Sequence, residues 1–174
     1  MDATTIIAIC ALVVSVFSTG LAVWTAFLQR QHMRLSVRPI PSVQLADFEN
    51  SVGVYIENSG LGPMRILSLI VTDDKGVTHD DLISHMPSLA PGILWSSFYD
   101  KVDLSALQTG RRLRLLLLEG DPEDAMYRQS RDAVRRKLSE LTMRVEYEDL
   151  YGRLMEPADE RLSWFGRHHQ GHES

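Results

Sequence analysis

Few residues in this sequence could bind a metal, and their spacing fits no familiar motif. One polar segment carries two imidazoles and two carboxylates that could bind a divalent cation, at His79, Asp80, Asp81 and His85. Their spacing differs from that of two histidines on adjacent helical turns. Three further histidines lie in a polar C-terminal tail, at His168, His169 and His172, and such a group is usually incidental. We therefore predict neither a metal site nor a cofactor.

Residues suited to nucleophilic or acid–base catalysis are equally sparse. The sequence lacks a Gly-x-Ser-x-Gly elbow. Its single cysteine, Cys10, excludes an intrachain disulfide and lies in an apolar stretch where a thiol is unreactive. Glu146 and Glu148 are expected on the exposed face of a strand, where carboxylates are normally solvated, and Asp149 is expected to cap a turn. We predict that the protein is not an enzyme.

One glycine-rich loop is a candidate ligand site. It consists of Asn58, Gly60, Gly62 and Pro63 with their neighbours, and glycines can present successive backbone N–H groups to an anion. The same residue types are what a tight connection between strands requires, and we favour that interpretation. A P-loop is excluded because no helix beginning with Lys-Ser or Lys-Thr follows.

The composition is that of an ordinary globular chain. The 174 residues include 18 Lys or Arg and 23 Asp or Glu, for a net charge of −5, and 44% are hydrophobic. These values exclude a disordered or collagen-like chain. The acidic balance argues against a nucleic-acid partner, which usually requires a basic face.

The charges are distributed very unevenly. No Lys or Arg precedes Arg30, and the 24 residues from Thr5 to Leu28 are uncharged, 18 of them apolar. As a helix they would span about 36 Å, enough for the roughly 30 Å hydrocarbon layer of a bilayer. The sequence predicts a single transmembrane helix over residues 5–28.

A cleaved signal peptide is the alternative for this segment. It would need a basic leader, a shorter apolar core and a small-x-small cleavage site, which this sequence lacks. The flanking charges predict the orientation: Asp2 precedes the segment, whereas three basic residues follow it, Arg30, Arg34 and Arg38. The positive-inside rule then places the N-terminus outside and the larger domain in the cytoplasm, on the cell inner membrane. These arginines also make membrane lipid an expected partner.

Small residues recur along the apolar segment at steps of three and four. We call Ala8, Ala11, Ser15, Ser18, Ala22 and Thr25 the small-residue seam. Small side chains let membrane helices approach closely, which is where the packing gain arises in lipid. The seam predicts a homo-oligomer or association with the membrane helix of another protein.

The rest of the chain has the two-residue period of β-strands. The junction Arg38-Pro39-Ile40-Pro41 disfavours a helix, and the short linker is expected to keep the domain close to the membrane. Strands are predicted over Ser42–Phe48, Val52–Ile56, Met64–Thr72, Ile93–Tyr99, Arg111–Glu119 and Thr142–Glu148. Met64–Thr72 is apolar on both faces and is expected to be covered on both sides.

One late helix is predicted after the fifth of these strands. Asp121 is the N-cap candidate and Pro122 suits the first helical position. Its buried stripe is expected to contain Tyr127, Ser130, Val134, Leu138 and Leu141, and its arginines are expected to be solvated. Short strands with one helix predict a mainly β fold, an antiparallel Ig-like β-sandwich.

Two motifs resemble those of a loose group of uncharacterised bacterial single-pass membrane proteins. In that group a strand ends in an Asn-x-Gly-x-Gly-Pro turn, and a late strand ends in a Tyr-x-Asp-x-x-Gly type sequence. The corresponding stretches here follow the Arg38-Pro39 step and are Val54–Pro63 and Val145–Gly152. Met64 stands where the group usually has a small residue. The resemblance implies a small Ig-like sandwich and no known chemistry.

Together these features predict a membrane-anchored interaction or scaffold module. The alternative is a membrane-tethered sensor or accessory subunit that binds a small ligand or metal at the Asn58–Pro63 loop or the His79–His85 segment. The predicted organisation is a short extracytoplasmic N-terminus (1–4), a transmembrane helix (5–28), a basic juxtamembrane linker (29–41), a β-sandwich domain (42–165) and a flexible tail (166–174).

Overall fold

The computed structural model describes residues 2–36, 38–100 and 106–168, which belong to two compact units that divide between Arg38 and Pro39. The first unit contains one helix, α1 (Ala3–Ser36). The second unit, which we call the β domain, contains the strands β1 (Pro41–Phe48), β2 (Ser51–Asn58), β3 (Met64–Thr72), β4 (Thr78–His79), β5 (Ser97–Phe98), β6 (Ala106–Leu107), β7 (Arg112–Glu119), β8 (Thr142–Glu148) and β9 (Ala158–Arg161). It also contains helix α2 (Ala125–Ser139) and two 3-10 helices, Ile83–His85 and Leu162–His168.

The strands form two antiparallel sheets. The first sheet has the order β1-β2-β7-β5, and the second has the order β4-β3-β8-β9 with β6 also paired to β3. Helix α2 connects the last long strand of the first sheet, β7, to β8 of the second. The predicted mainly β fold with an N-terminal apolar helix and one later helix is confirmed.

One hydrophobic core serves the β domain. The core contains alternate residues of two strands, all 5% exposed or less: Val52, Val54 and Ile56 of β2, and Met143, Val145 and Tyr147 of β8. Strand β7 lies between β2 and β5, and all four of its leucines from Leu115 to Leu118 are buried, as predicted for a central strand. From α2 the core receives Tyr127, Val134 and Leu138, and Ser130 is buried on the same stripe.

Local expectations for three elements were wrong. Strand β3 is fully covered on one face only: Met64, Ile66, Leu69 and Val71 are buried, whereas Leu67 and Ile70 are half-buried. A bulge between Ile66 and Ser68 shifts the alternation of buried residues by one position. The strand predicted over Ile93–Tyr99 is shorter than expected: Ser97–Phe98 form β5, and Ser96 and Tyr99 donate their N–H groups to Leu117 and Leu115 of β7. The N-cap of α2 is Asp124, whose Oδ1 accepts the N–H of Met126 (2.8 Å), while Asp121 caps a preceding turn by accepting the N–H of Glu123 (2.9 Å).

Candidate functional site

Helix α1 exposes a long apolar surface. Residues Ala3–Arg30 have a mean hydropathy of 2.5, and by length and composition this helix could cross a membrane. Every side chain from Asp2 to Arg30 is exposed, including Phe17 at 75% and Ile7 at 69%. A helix that is apolar all round needs an apolar environment around its whole circumference.

The small-residue seam runs along this helix. Helical geometry places its six residues on one side, and Val13 and Gly20 lie on the opposite side. The hydroxyl of Thr25 donates to the carbonyl oxygen of Leu21 (2.8 Å), so it needs no partner on another helix. The seam is therefore a narrow strip of small side chains, and its Thr25 hydroxyl is hydrogen-bonded within the helix.

The juxtamembrane basic residues follow the apolar stretch. Arg30 and Arg34 belong to α1, and Arg38 comes after the helix end and is exposed. The side chain of Arg34 lies outside the part that the structure describes.

Asn58 holds the glycine-rich loop together. Its side chain is fully buried, and Nδ2 donates to the carbonyl oxygens of Gly62 (2.8 Å) and Leu107 (2.9 Å). Its Oδ1 accepts the N–H of Gly60 (3.0 Å) and of Ile40 (3.4 Å). Both amide hydrogens are thus used within the protein, and the arrangement serves to connect strands.

The polar groups of the His79–His85 segment contact one another and the neighbouring strand β3. Asp81 accepts the N–H of Ser84 (2.6 Å) and its hydroxyl (2.9 Å). His85 is buried with Nε2 3.1 Å from the carbonyl oxygen of Val71, and the ring of His79 meets it edge-on at 4.6 Å between centroids. Within residues 2–36, 38–100 and 106–168 no group of three or more His, Cys, Asp or Glu could hold a metal ion.

The acidic residues at the end of β8 have separate roles. Glu148 is 8% exposed and forms an ion pair with Arg65, so the expectation that it is solvated was wrong. The reason is that Arg65 lies opposite it on β3. Glu146 accepts the hydroxyl of Ser68 (2.7 Å). Asp149 accepts the N–H groups of Tyr151 (2.8 Å) and Arg153 (3.0 Å), as predicted for a turn-capping carboxylate.

The basic residues of α2 are not simply solvated, because Arg135 is buried. Its Nε donates to Oδ1 of Asp47 at 2.6 Å, and Arg167 approaches Oδ2 of the same carboxylate at 2.8 Å. The side chain of Asp47 is fully buried, and that of Arg135 is 9% exposed. We call Asp47, Arg135 and Arg167 the carboxylate clamp, since they tie β1, α2 and the last 3-10 helix together.

Sequence reasoning missed the clamp, and it placed residue 167 in a flexible tail. Gly166 to His168 continue the 3-10 helix Leu162–His168, whereas residues 169–174, including His169 and His172, lie outside the described residues. The one available signal for the clamp was Asp47, an isolated acid beside Phe48 in a strand. A carboxylate at a half-buried strand position needs a partner.

Comparisons with known proteins supply no functional assignment. No protein-family model matches this sequence, and no curated protein matches it.

Proposed function

We propose that the protein is a single-pass membrane protein whose β domain acts as a non-enzymatic interaction or scaffold module. The observation that carries the proposal is the apolar surface of α1, which is exposed from Ala3 to Arg30, while the described core of the β domain contains no residue of α1. At 1.5 Å per residue its 28 apolar-rich residues extend about 42 Å, more than the roughly 30 Å hydrocarbon layer. A bilayer removes that surface from water.

The proposed location is the cell inner membrane, with the N-terminus outside and the β domain in the cytoplasm. Support comes from Arg30, Arg34 and Arg38 on one flank and Asp2 on the other. We further propose that the β domain is an Ig-like sandwich related to the group of bacterial single-pass membrane proteins described above. Two antiparallel sheets sharing one core support this proposal.

The anchor is tested by membrane extraction of the full chain. We expect the protein to stay in the membrane fraction after alkaline washing and to retain its N-terminus, as checked by intact mass. Val13→Arg with Val16→Arg should reduce this fraction strongly, because each arginine at the bilayer centre costs about 3 kcal/mol. Val13→Leu with Val16→Leu is the matched control.

Removal of the first thirty or so residues in the mature protein would refute the anchor and establish a signal sequence. The orientation is tested separately with a reporter fused after Ser174. Cytoplasmic reporter activity supports the proposed topology, and periplasmic activity would overturn it.

Self-association is proposed to use the small-residue seam. In a bacterial transmembrane-association assay, Ala11→Ile with Ser18→Ile should abolish the signal because larger side chains separate the backbones. Val13→Ile with Gly20→Ile, at the same spacing on the opposite side, should leave the signal intact. An unchanged signal for the seam variant would show that the seam has no role.

A further inference from the structure

The β domain has one end at which its N-terminal residues and several loops meet. Strand β1 begins there, with Pro41 paired to Asn58, and the N–H of Ser59 donates to the carbonyl oxygen of Ile40 (2.9 Å). The start of β3 lies at the same end, where Arg65 pairs with Ala106 and with Glu148. Leu154 bridges back to Glu148. We call this surface, made by residues 39–41, 59–63, 106–111 and 149–154, the linker end of the domain.

The loops at the linker end carry large exposed apolar side chains. Five of them are at least half exposed: Leu61 (74%), Leu154 (70%), Leu150 (65%), Tyr151 (60%) and Ile40 (53%). A shallow depression lined by Pro63, Ala106 and Leu150 joins the 59–63 turn to the 149–154 loop. Turns in water favour Gly, Asn, Asp and Ser, so leucines at successive loop tips indicate an apolar contact.

The linker end carries two exposed arginines that an anionic group could contact. Arg111 and Arg153 are exposed, and neither forms an ion pair with any residue that the structure describes. Of the nearby acids, Glu148 is paired with Arg65, Glu57 with Arg112 (2.8 Å), and Asp149 accepts backbone N–H groups. Glu156 is exposed farther along the chain toward β9. Arg111 and Arg153 are therefore available to an anionic group, whereas Asp149 and Glu156 form no ion pair with a described residue.

The opposite end of the β domain differs in its charges. It also exposes Phe48 (65%) and Val77 (48%). Its loops, however, present the exposed carboxylates of Glu49, Asp74, Asp121 and Glu123, which outnumber the exposed Lys75 on the same turn as Asp74. Anionic lipid would repel that end.

We propose that the linker end inserts its leucine-bearing loops into the headgroup region of an anionic phospholipid bilayer. Exposed leucines beside arginines that form no ion pair with a described residue are a combination suited to the interface of such a membrane. The occupant follows from continuity of the chain, because Pro39, which is buried at this end, follows the apolar residues Ala3–Arg30 of α1 after eight residues. This inference rests on the proposed function, in which α1 spans that bilayer.

The test uses the full chain in vesicles of phosphatidylcholine and phosphatidylglycerol, with an environment-sensitive fluorophore on one cysteine at a time. The positions are the natural Cys10 in α1, Leu154→Cys at the linker end and Lys75→Cys at the opposite end, the last two with Cys10→Ser. Lipids carrying a nitroxide quench a fluorophore that enters the membrane. We expect quenching at positions 10 and 154 and none at position 75.

Each alternative result has a distinct meaning. Quenching at Cys10 without quenching at position 154 overturns the linker-end proposal and leaves the anchor intact. Absence of quenching at Cys10 overturns the proposed function itself. Shielding of position 154 without quenching by lipid indicates a protein occupant, such as a second copy, and also overturns the proposal.

The arginines provide an independent measurement. Arg153→Gln should lower the ratio of docked to undocked protein about fivefold at low ionic strength, because one basic residue near an anionic surface contributes about that factor. Arg128→Gln on α2, where Nη1 donates to the carbonyl oxygen of Pro122 (3.1 Å), is the matched control and should leave docking unchanged. Equal quenching in vesicles with and without phosphatidylglycerol would contradict the electrostatic part.

Discussion

The N-terminal helix and the β domain hold the same kinds of apolar side chain in opposite environments. In α1, Leu12 and Phe17 are 65% and 75% exposed, whereas Leu116 and Phe165 of the β domain are fully buried. Burying a leucine stabilises a folded chain by roughly 1.5–3 kcal/mol, so the β domain is stabilised from within. The helix must gain comparable stabilisation from its surroundings. Substitutions in the β domain should therefore change its stability. Substitutions in α1 should change whether the protein is held in the membrane.

The largest effect on domain stability is expected from Arg135→Met, which removes one member of the carboxylate clamp. Asp47 would stay buried after losing one of its two arginine partners in the clamp, and breaking a buried ion pair costs about 3 kcal/mol or more. Urea unfolding of the full chain in detergent micelles, followed by tryptophan fluorescence, measures the loss.

Arg144→Met is the matched control for the clamp. Arg144 pairs with Asp159 at 3.2 Å, but both side chains are about half exposed, and such surface pairs contribute below about 1 kcal/mol. Similar losses for Arg135→Met and Arg144→Met would mean that the clamp is no more important than a surface pair.

An intermediate loss of stability is expected from a Gly→Ala substitution in the β domain, and the same substitution in α1 is its control. A Cβ at Gly120 would lie 2.3 Å from the ring of Tyr127, whose side chain is fully buried, so Gly120→Ala should destabilise the β domain by about 1–3 kcal/mol. Gly20→Ala in α1 meets nothing within 4 Å and should leave the unfolding curve of the domain unchanged. Equal curves for the two variants would contradict the close packing of Tyr127 against Gly120.

The smallest effect concerns pH. The N–H of Val77 donates to Asp73 (2.8 Å), and this bond, with those from Lys75 and the charge of Lys137, lowers the pKa of Asp73 below its ordinary value of 3.8. The unfolded chain therefore takes up this proton first as the pH falls. The stabilisation from Asp73 is present above pH 3.8 and is lost as the pH falls through the lower folded pKa.

Asp73→Asn should consequently flatten the acid side of the stability curve. Thermal unfolding between pH 6 and pH 3, at constant ionic strength, makes the comparison. Asp74→Asn is a nearby control, since Asp74 is exposed on the same turn. A curve for Asp73→Asn as steep as that of the natural protein would exclude a role for this carboxylate in acid stability.

Sequence patterns predicted most of the architecture but not the contacts that complete it. Alternation of Val52, Val54 and Ile56 predicts a strand because side-chain direction has a period of two, and the structure confirms it. The bulge in β3 was not predictable, because it depends on register with β8. The start of α2 was misplaced by three residues, since Asp121 and Asp124 both have the chemistry of an N-cap.

The candidate surfaces likewise differ in whether the sequence alone reveals them. The small-residue seam and the arginines after it are visible from spacing and composition alone, as each lies on one continuous segment. The linker end is invisible in the sequence, because Leu61, Leu150 and Leu154 come together only through the pairing of β3, β6 and β8. The role of Asn58 was likewise hidden, since one of its acceptors, Leu107, is 49 residues away along the chain.

By itself, then, the sequence determined the apolar helix, the strand periodicity and the late helix, because each is specified by residues within a few positions of one another. Tertiary structure alone decided that Asp47, Arg135 and Arg167 share one buried site, because burial of a carboxylate requires cations from elements far apart in sequence. It also decided which loop tips gather at one end of the domain, since that depends on strand order and register and not on local pattern.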